Sequence, residues 1–193
     1  MSFKELPPFA AWRHRDAREG FEVVFLQPGP EAHRLEGHTA AVEDGQAWSV
    51  KYTIVVDANW VTQTAHLVGQ SAGDRHEVTL AADGAGAWRI DGSPAPELDG
   101  CLDVDLESSS FTNALPVHRL GLGIGQDAEA PAAYVRALDL SVERLEQRYA
   151  RTDDEGMHQR YDYAAPRFEY TGRLDYDKHG LILEYPGIAV RVA

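Results

Sequence analysis

The sequence predicts a mainly β protein of one domain, a sandwich, barrel or roll of short antiparallel strands. Three observations carry that reading. Apolar and polar residues alternate at period two through much of the first half of the chain. Loop-forming residues separate the alternating runs at short intervals. Four Asp-Gly pairs (Asp44-Gly45, Asp83-Gly84, Asp91-Gly92 and Asp99-Gly100) stand where hairpins would close, and Asp-Gly favours the positive-φ turns of tight hairpins. A length of 193 residues suits a single domain over residues 1–193.

The elements follow in order. Phe21-Glu22-Val23-Val24-Phe25-Leu26 is almost uniformly apolar, which predicts a central strand covered on both faces. Trp48, Val50, Tyr52, Ile54 and Val56 share one parity, with Ser49, Lys51 and Thr53 on the other, the pattern of a half-buried strand. Asp57-Ala58-Asn59-Trp60 is short enough to join it to a strand over Val61 to Gly69, whose Thr62, Thr64 and His66 form a polar face. Further alternations run Glu77 to Leu80, Trp88 to Ile90 and Leu102 to Leu106. The best helix candidate is Ser110 to Leu120, with Ser108-Ser109-Ser110 as a cap, Pro116 limiting its length and Gly121 to Gly125 ending it.

Ala128 to Arg151 reads two ways. Val135, Leu138, Val142, Leu145 and Tyr149 have helical spacing. A turn at Asp153 to Gly156 would instead join antiparallel strands, setting Gln147 opposite Tyr161 and Tyr149 opposite Gln159. The strand reading accounts for both halves and is preferred. Strands resume at Arg167 to Asp175, Gly180 to Tyr185 and Ala189 to Val192, with a turn at Asp177 to Gly180.

Composition bounds the function. The chain is 44% hydrophobic and 25% charged, ordinary for a globular protein. Its 31 acids against 18 bases give a net charge of −13, which argues against nucleic-acid or anionic-membrane partners held through phosphate contacts. One cysteine, Cys101, forms no internal disulfide and reads as a small buried hydrophobe. No apolar run approaches the roughly 20 residues that span a bilayer. Met1 to Arg18 lacks the pattern of a secretory signal, so a cytoplasmic location is expected.

Asp103-Val104-Asp105 places two carboxylates about 7 Å apart on one strand face. Such a pair can hold a divalent cation against phosphates. No phosphate-binding loop accompanies it, and a solvent-facing strand with Leu102, Val104 and Leu106 inside is the commoner meaning. Gly121-Leu122-Gly123-Ile124-Gly125 lacks the rest of a dinucleotide fingerprint. The histidines form no metal-binding spacing, although His118 stands beside Arg119. No G-x-S-x-G motif occurs. No cofactor and no metal are expected.

Gly100 to Leu120, with its Asp-Val-Asp-Leu-Glu-Ser-Ser-Ser-Phe-Thr-Asn-Ala-Leu-Pro-Val-His-Arg core, resembles the signature of a bacterial family known as "putative glycolipid-binding", a domain of unknown function. Gln147-Arg148-Tyr149, Arg160 to Tyr163, and Leu174-Asp175 through Gly180-Leu181 to Tyr185-Pro186-Gly187 fit the same pattern. So do Trp12-Arg13, the Trp48 strand and Gly86-Ala87-Trp88, so the resemblance covers nearly the whole chain. It implies a curled antiparallel sheet, a spiral β-roll or half-barrel, wrapped around one short helix at Phe111 to Leu122, with strands from Tyr134 to Tyr149. It also implies likeness to half-barrel carriers of lipoproteins and glycolipids.

The function expected is non-enzymatic binding of a lipid or glycolipid in a concave apolar interior. Aromatic rings suit both acyl chains and sugar faces, though they also fill ordinary cores. The candidate ligand-binding residues are Trp12, Asp103, Asp105, Phe111, Asn113, Leu115, His118, Arg119, Tyr149 and Tyr161. The alternative is an enzyme acting on a small molecule or lipid through Asp103, Asp105 and His118.

Overall fold

The computed structural model describes residues 3–193. Eight strands come first: β1 (Phe9–His14), β2 (Glu19–Gln27), β3 (Ala32–Glu43), β4 (Gln46–Asp57), β5 (Thr62–Ser71), β6 (Arg75–Ala82), β7 (Trp88–Ile90) and β8 (Ser93–Pro94). After β9 (Asp103–Leu106), a single 3₁₀ turn at Phe111–Asn113 leads into the helix α1 (Ala114–Leu120). Then follow β10 (Asp127–Glu129), β11 (Ala132–Val135), β12 (Val142–Leu145), β13 (Arg148–Arg151), β14 (Gln159–Ala165), β15 (Tyr170–Tyr176), β16 (Ile182–Tyr185) and β17 (Ala189–Arg191).

Among the described residues, fourteen strands make one sheet in the order β10-β13-β14-β15-β16-β17-β1-β2-β3-β4-β5-β6-β7-β8. Two antiparallel meanders are thus joined where β17 pairs with β1. A three-stranded sheet, β12-β11-β9, holds the remaining strands, with β9 and β11 parallel. The large sheet curls round the helix. Phe111, Ala114, Leu115 and Val117 are fully buried. Trp12 of β1 lies 6.3 Å from the Phe111 ring, the Tyr149 hydroxyl of β13 donates to Asn113, and that of Tyr176 on β15 donates to the Asn113 carbonyl. Pro116 falls in the first turn of α1, where its missing N–H costs nothing. The Asn113 side chain that precedes α1 does not cap it; of the Ser108–Ser110 run, the Ser109 hydroxyl accepts from the Thr112 N–H at 3.3 Å within the 3₁₀ turn and also donates to a carboxylate.

The hairpin signals work as expected where the turn is tightest. Asp44-Gly45 and Asp91-Gly92 both have positive φ at each residue and join β3 to β4 and β7 to β8. From Tyr134 to Tyr149 the chain is strand and loop, with no helix. Its hairpin partners differ by four residues from the expected ones, since Tyr149 pairs with Tyr163 and Arg151 with Tyr161. Gln147 lies outside that ladder and bonds Asp105.

Two expectations are overturned. Phe21 to Leu26 is not covered on both faces: Phe21 and Phe25 are 46% and 53% exposed on the outside of the roll, while Glu22, Val24 and Leu26 point in. No second layer covers the outer face, and the apolar run hides an ordinary alternation. Thr62 is fully buried, because a bulge at Val55/Val56 turns it inward, where its hydroxyl accepts from the Val104 N–H. Since Phe21 and Phe25 contribute little burial, Phe21→Thr and Phe25→Thr should each change unfolding free energy by no more than about 0.5 kcal/mol. Urea denaturation of each variant checks this.

Candidate ligand-binding clefts at the two rims

Antiparallel connections alternate between the two rims of the roll. The Phe3–Pro8 segment and the β2–β3 and β4–β5 loops gather at one rim, and the β1–β2, β3–β4 and β5–β6 loops at the other. The helix passes between them, with Asn113 towards the second rim and His118 towards the first. A cleft opens at each.

The first-rim cleft has a volume of about 990 Å³ and is walled by Phe3, Leu6, Trp60, His118, Leu122 and Tyr161 among others. Trp60 sits in the left-handed region, at φ 66°. Asp57 holds it there: its carboxylate accepts from the N–H groups of Asn59 and Val61, and its carbonyl accepts from the Trp60 N–H. A bulky residue in this conformation is strained, and such strain gathers at functional positions. The Trp60 indole stacks on His118, 3.7 Å between ring centres, and Phe3 packs on the imidazole at 4.6 Å. Burial lowers His118 to about 4, so the ring is uncharged at neutral pH and acts as an aromatic surface. Gly180 makes room for it, since a Cβ there would stand 2.4 Å from the imidazole Nε2.

Between the rims the interior is packed. Trp12, Phe111, Leu115 and Tyr149 are fully buried and line neither cleft. Asp103 and Asp105 are neither a solvent-facing pair nor a pair free to share a cation, because both faces of β9 are covered. Arg119 reaches down from α1 and binds Asp103 with Nε at 2.9 Å and with Nη2. Asp105 accepts from Thr112 at 2.7 Å and from Gln147. Burial raises both carboxyl pKa values, against the hydrogen bonds that lower them. Asp103, Asp105 and His118 do not converge. His118 and Arg119 are consecutive helical residues, about 100° apart around the axis, so one faces the cleft and the other the floor. Cys101 is buried, and burial pushes its thiol up to about 11.

The second-rim cleft is smaller, about 250 Å³, and mixed in character. Ser109 and Asn113 meet it from the helix side, Asp105, Tyr134, Tyr163 and Tyr185 from strands, and Phe168 from a 3₁₀ turn at Pro166–Phe168. Arg18, Glu43, Glu107 and Arg136 carry charge around it. Behind it runs a buried chain of hydrogen bonds. Glu22, fully buried, accepts from Tyr52 at 2.6 Å, from the Ser109 hydroxyl and from the Ser110 N–H at 2.8 Å. Thr112 donates its N–H to Ser109 and its hydroxyl to Asp105, joining the two carboxyl groups.

Of the candidate residues, the structure therefore brings His118 and Tyr161 to one cleft and Asp105 and Asn113 to the other. Glu22 behind the second cleft, Arg18 on its rim and His33 in the wall of the first were not among the candidates. Glu22 had a signal: it shares parity with Val24 and Leu26, which an inward alternation would have exposed. Arg18, in a loop, had none.

The family model described as putative glycolipid-binding matches residues 9–191. Among solved structures, a DUF1089-family protein from Pseudomonas aeruginosa is similar with 31% identity and a TM-score of 0.74, covering 89% of this chain and 92% of that one. A β-barrel-like protein of the DUF1849 family from Brucella abortus shares the fold at 9% identity, with a TM-score of 0.55 and coverage of 98% and 96%. No curated protein matches.

Proposed function

From the premise that the chain belongs to the family described as putative glycolipid-binding, we propose that it binds the apolar part of a lipid or glycolipid, without chemistry, in the first-rim cleft. As a carrier it would release the ligand by the same mouth. The observation that supports this most is the size and lining of that cleft: about 990 Å³, walled by Phe3, Leu6, Trp60 and Leu122 and bordered by the uncharged His118. The lining also carries Lys4, Glu5, His33 and Gln159, so apolar walls and polar groups share a cleft of a volume usual for ligand sites. The packed interior supports a ligand at the rim over one lying along the helix. Trp12, Phe111, Leu115 and Tyr149 then act indirectly, by fixing the helix that carries His118. Asp103 and Arg119 hold the same helix down on β9.

The test is a titration with fatty-acyl probes of graded length. Each methylene buried contributes about 0.8 kcal/mol, so removing four carbons should cost roughly 3 kcal/mol, about two decades of affinity. Leu122→Asn, at a half-buried loop position of the wall, should weaken binding while leaving the melting temperature nearly unchanged. Affinity that does not vary with chain length, or that Leu122→Asn leaves untouched, would remove the proposal.

A further inference from the structure

The second-rim cleft lies at the far end of the roll from the acyl cleft. His33 borders one and Glu43 the other, with ten residue steps of β3 between them, about 30 Å at strand rise. With the interior packed, one ligand cannot fill both, and the second cleft needs its own account.

Its hydrogen-bonding groups are unevenly satisfied. Asp105 and Glu107 are occupied as acceptors: both Asp105 oxygens have donors, and Glu107 accepts from Arg136 at 3.1 Å and from the Ala137 N–H at 2.7 Å. Arg136 is engaged further by Glu143 at 2.8 Å. Arg18 is the exception. Its side chain is only 7% exposed, it lies over the Trp48 ring at 5.2 Å, and Nη2 donates to the Glu107 carbonyl at 2.8 Å. Among the described residues no group accepts from its Nε or Nη1, and the nearest carboxylate, Glu43, stands 3.9 Å from Nη1, beyond hydrogen-bond reach. A buried guanidinium with two unpaired N–H groups is costly unless something supplies the acceptor.

We infer that the second-rim cleft is a separate site for a compact organic carboxylate, bound through its carboxylate to Arg18 with its carbon skeleton against Tyr134, Tyr163, Tyr185 and Phe168. A carboxylate can accept from one of the unpaired Arg18 N–H groups and from the second Nη2 hydrogen beside it, because each edge of the guanidinium pairs Nη2 with Nε or with Nη1. A neutral polyol is a poorer complement, because it brings no negative charge to meet the guanidinium. A phosphate dianion meets more repulsion from Glu43 and Glu107 than a monoanion does. The volume of about 250 Å³ limits the ligand to a small one. This inference is independent of acyl binding at the other rim.

Calorimetric titration with benzoate, benzamide, acetate and inorganic phosphate tests it on the full chain. Benzoate should bind saturably, with benzamide, acetate and phosphate each at least tenfold weaker. Arg18→Gln should weaken benzoate at least tenfold. Glu43→Gln, which removes the anion that competes for Arg18, should tighten it several-fold. Two variants of the same rim moving affinity in opposite directions cannot both reflect misfolding, and an unchanged acyl-probe affinity at the first rim checks each fold. Absence of saturable benzoate binding, equal binding of benzamide, tighter binding of phosphate, or weakening by Glu43→Gln would each overturn the inference.

Discussion

Glu22→Ala should cost about 4 kcal/mol of stability, because three buried donors lose their shared acceptor at about 1–3 kcal/mol each and such terms do not add fully. The donors are the hydroxyls of Tyr52 and Ser109 and the N–H of Ser110. They come from two separate parts of the chain, so Glu22 on β2 ties β4 to the helix approach. Tyr52 reaches it across β3 only because position 37 is glycine; a Cβ there would stand 2.0 Å from the phenol ring. Glu22→Gln keeps the shape and should cost less. It should also change how stability depends on pH. Burial raises the Glu22 pKa above 4.5, with the hydrogen bonds from Ser109, Tyr52 and Ser110 opposing. A carboxyl raised on folding contributes stability that is complete below the unfolded value and is lost as pH rises through the folded one. The wild-type protein should therefore lose stability relative to Glu22→Gln as pH rises above the ordinary carboxyl range. Urea unfolding across that range checks both points. A wild type that instead gains on the variant as pH rises would mean that the folded protein favours the ionised form.

What the sequence disclosed depends on which physical quantity each feature obeys. Alternation reports which side of a sheet a residue faces, and a curled sheet has only an inside and an outside. Trp48 to Val56 was legible for that reason, and so was the Tyr149–Tyr163 hairpin in its facing though not its partners. A shift of four residues preserves parity, so Tyr149, Tyr161 and Tyr163 face inward in either register. The apolar run at Phe21 defeated the same logic because Phe21 and Phe25 are as apolar as the inward Val24 and Leu26, and the residue that breaks the pattern, Glu22, is the one turned in. Asp103 and Asp105 misled for a related reason. Composition suggests that acids face water, yet β9 lies in a second sheet under the helix and has no wet face. The division of Asp105 from His118 between two rims is a property of the whole roll, set by the pairing of β17 with β1 as much as by any local signal.

The buried pair Asp103–Arg119 gives the second large effect. Asp103 is 1% exposed and Arg119 13% by side chain, joined through two guanidinium nitrogens. Arg119→Ala should cost about 3–5 kcal/mol, since it strands a carboxyl in the core with no counter-charge. Asp103→Ala should cost a similar amount by stranding the guanidinium. The double variant Asp103→Leu/Arg119→Met replaces both charges with apolar groups and should recover most of the loss, because a buried pair contributes little beyond an apolar substitute. Burial raises the Asp103 pKa even with Arg119 beside it, so desolvation outweighs the attraction, which is the condition for such recovery. The pair also decides how α1 lies on β9, and therefore where His118 meets Trp60. Thermal unfolding and acyl-probe titration of the three variants separate these roles. If the double variant regains stability but still binds the probe weakly, the ion pair sets the helix position that shapes the first-rim cleft. If the double variant is no more stable than Arg119→Ala, the charges contribute far more than desolvation allows, and the account of this pair fails.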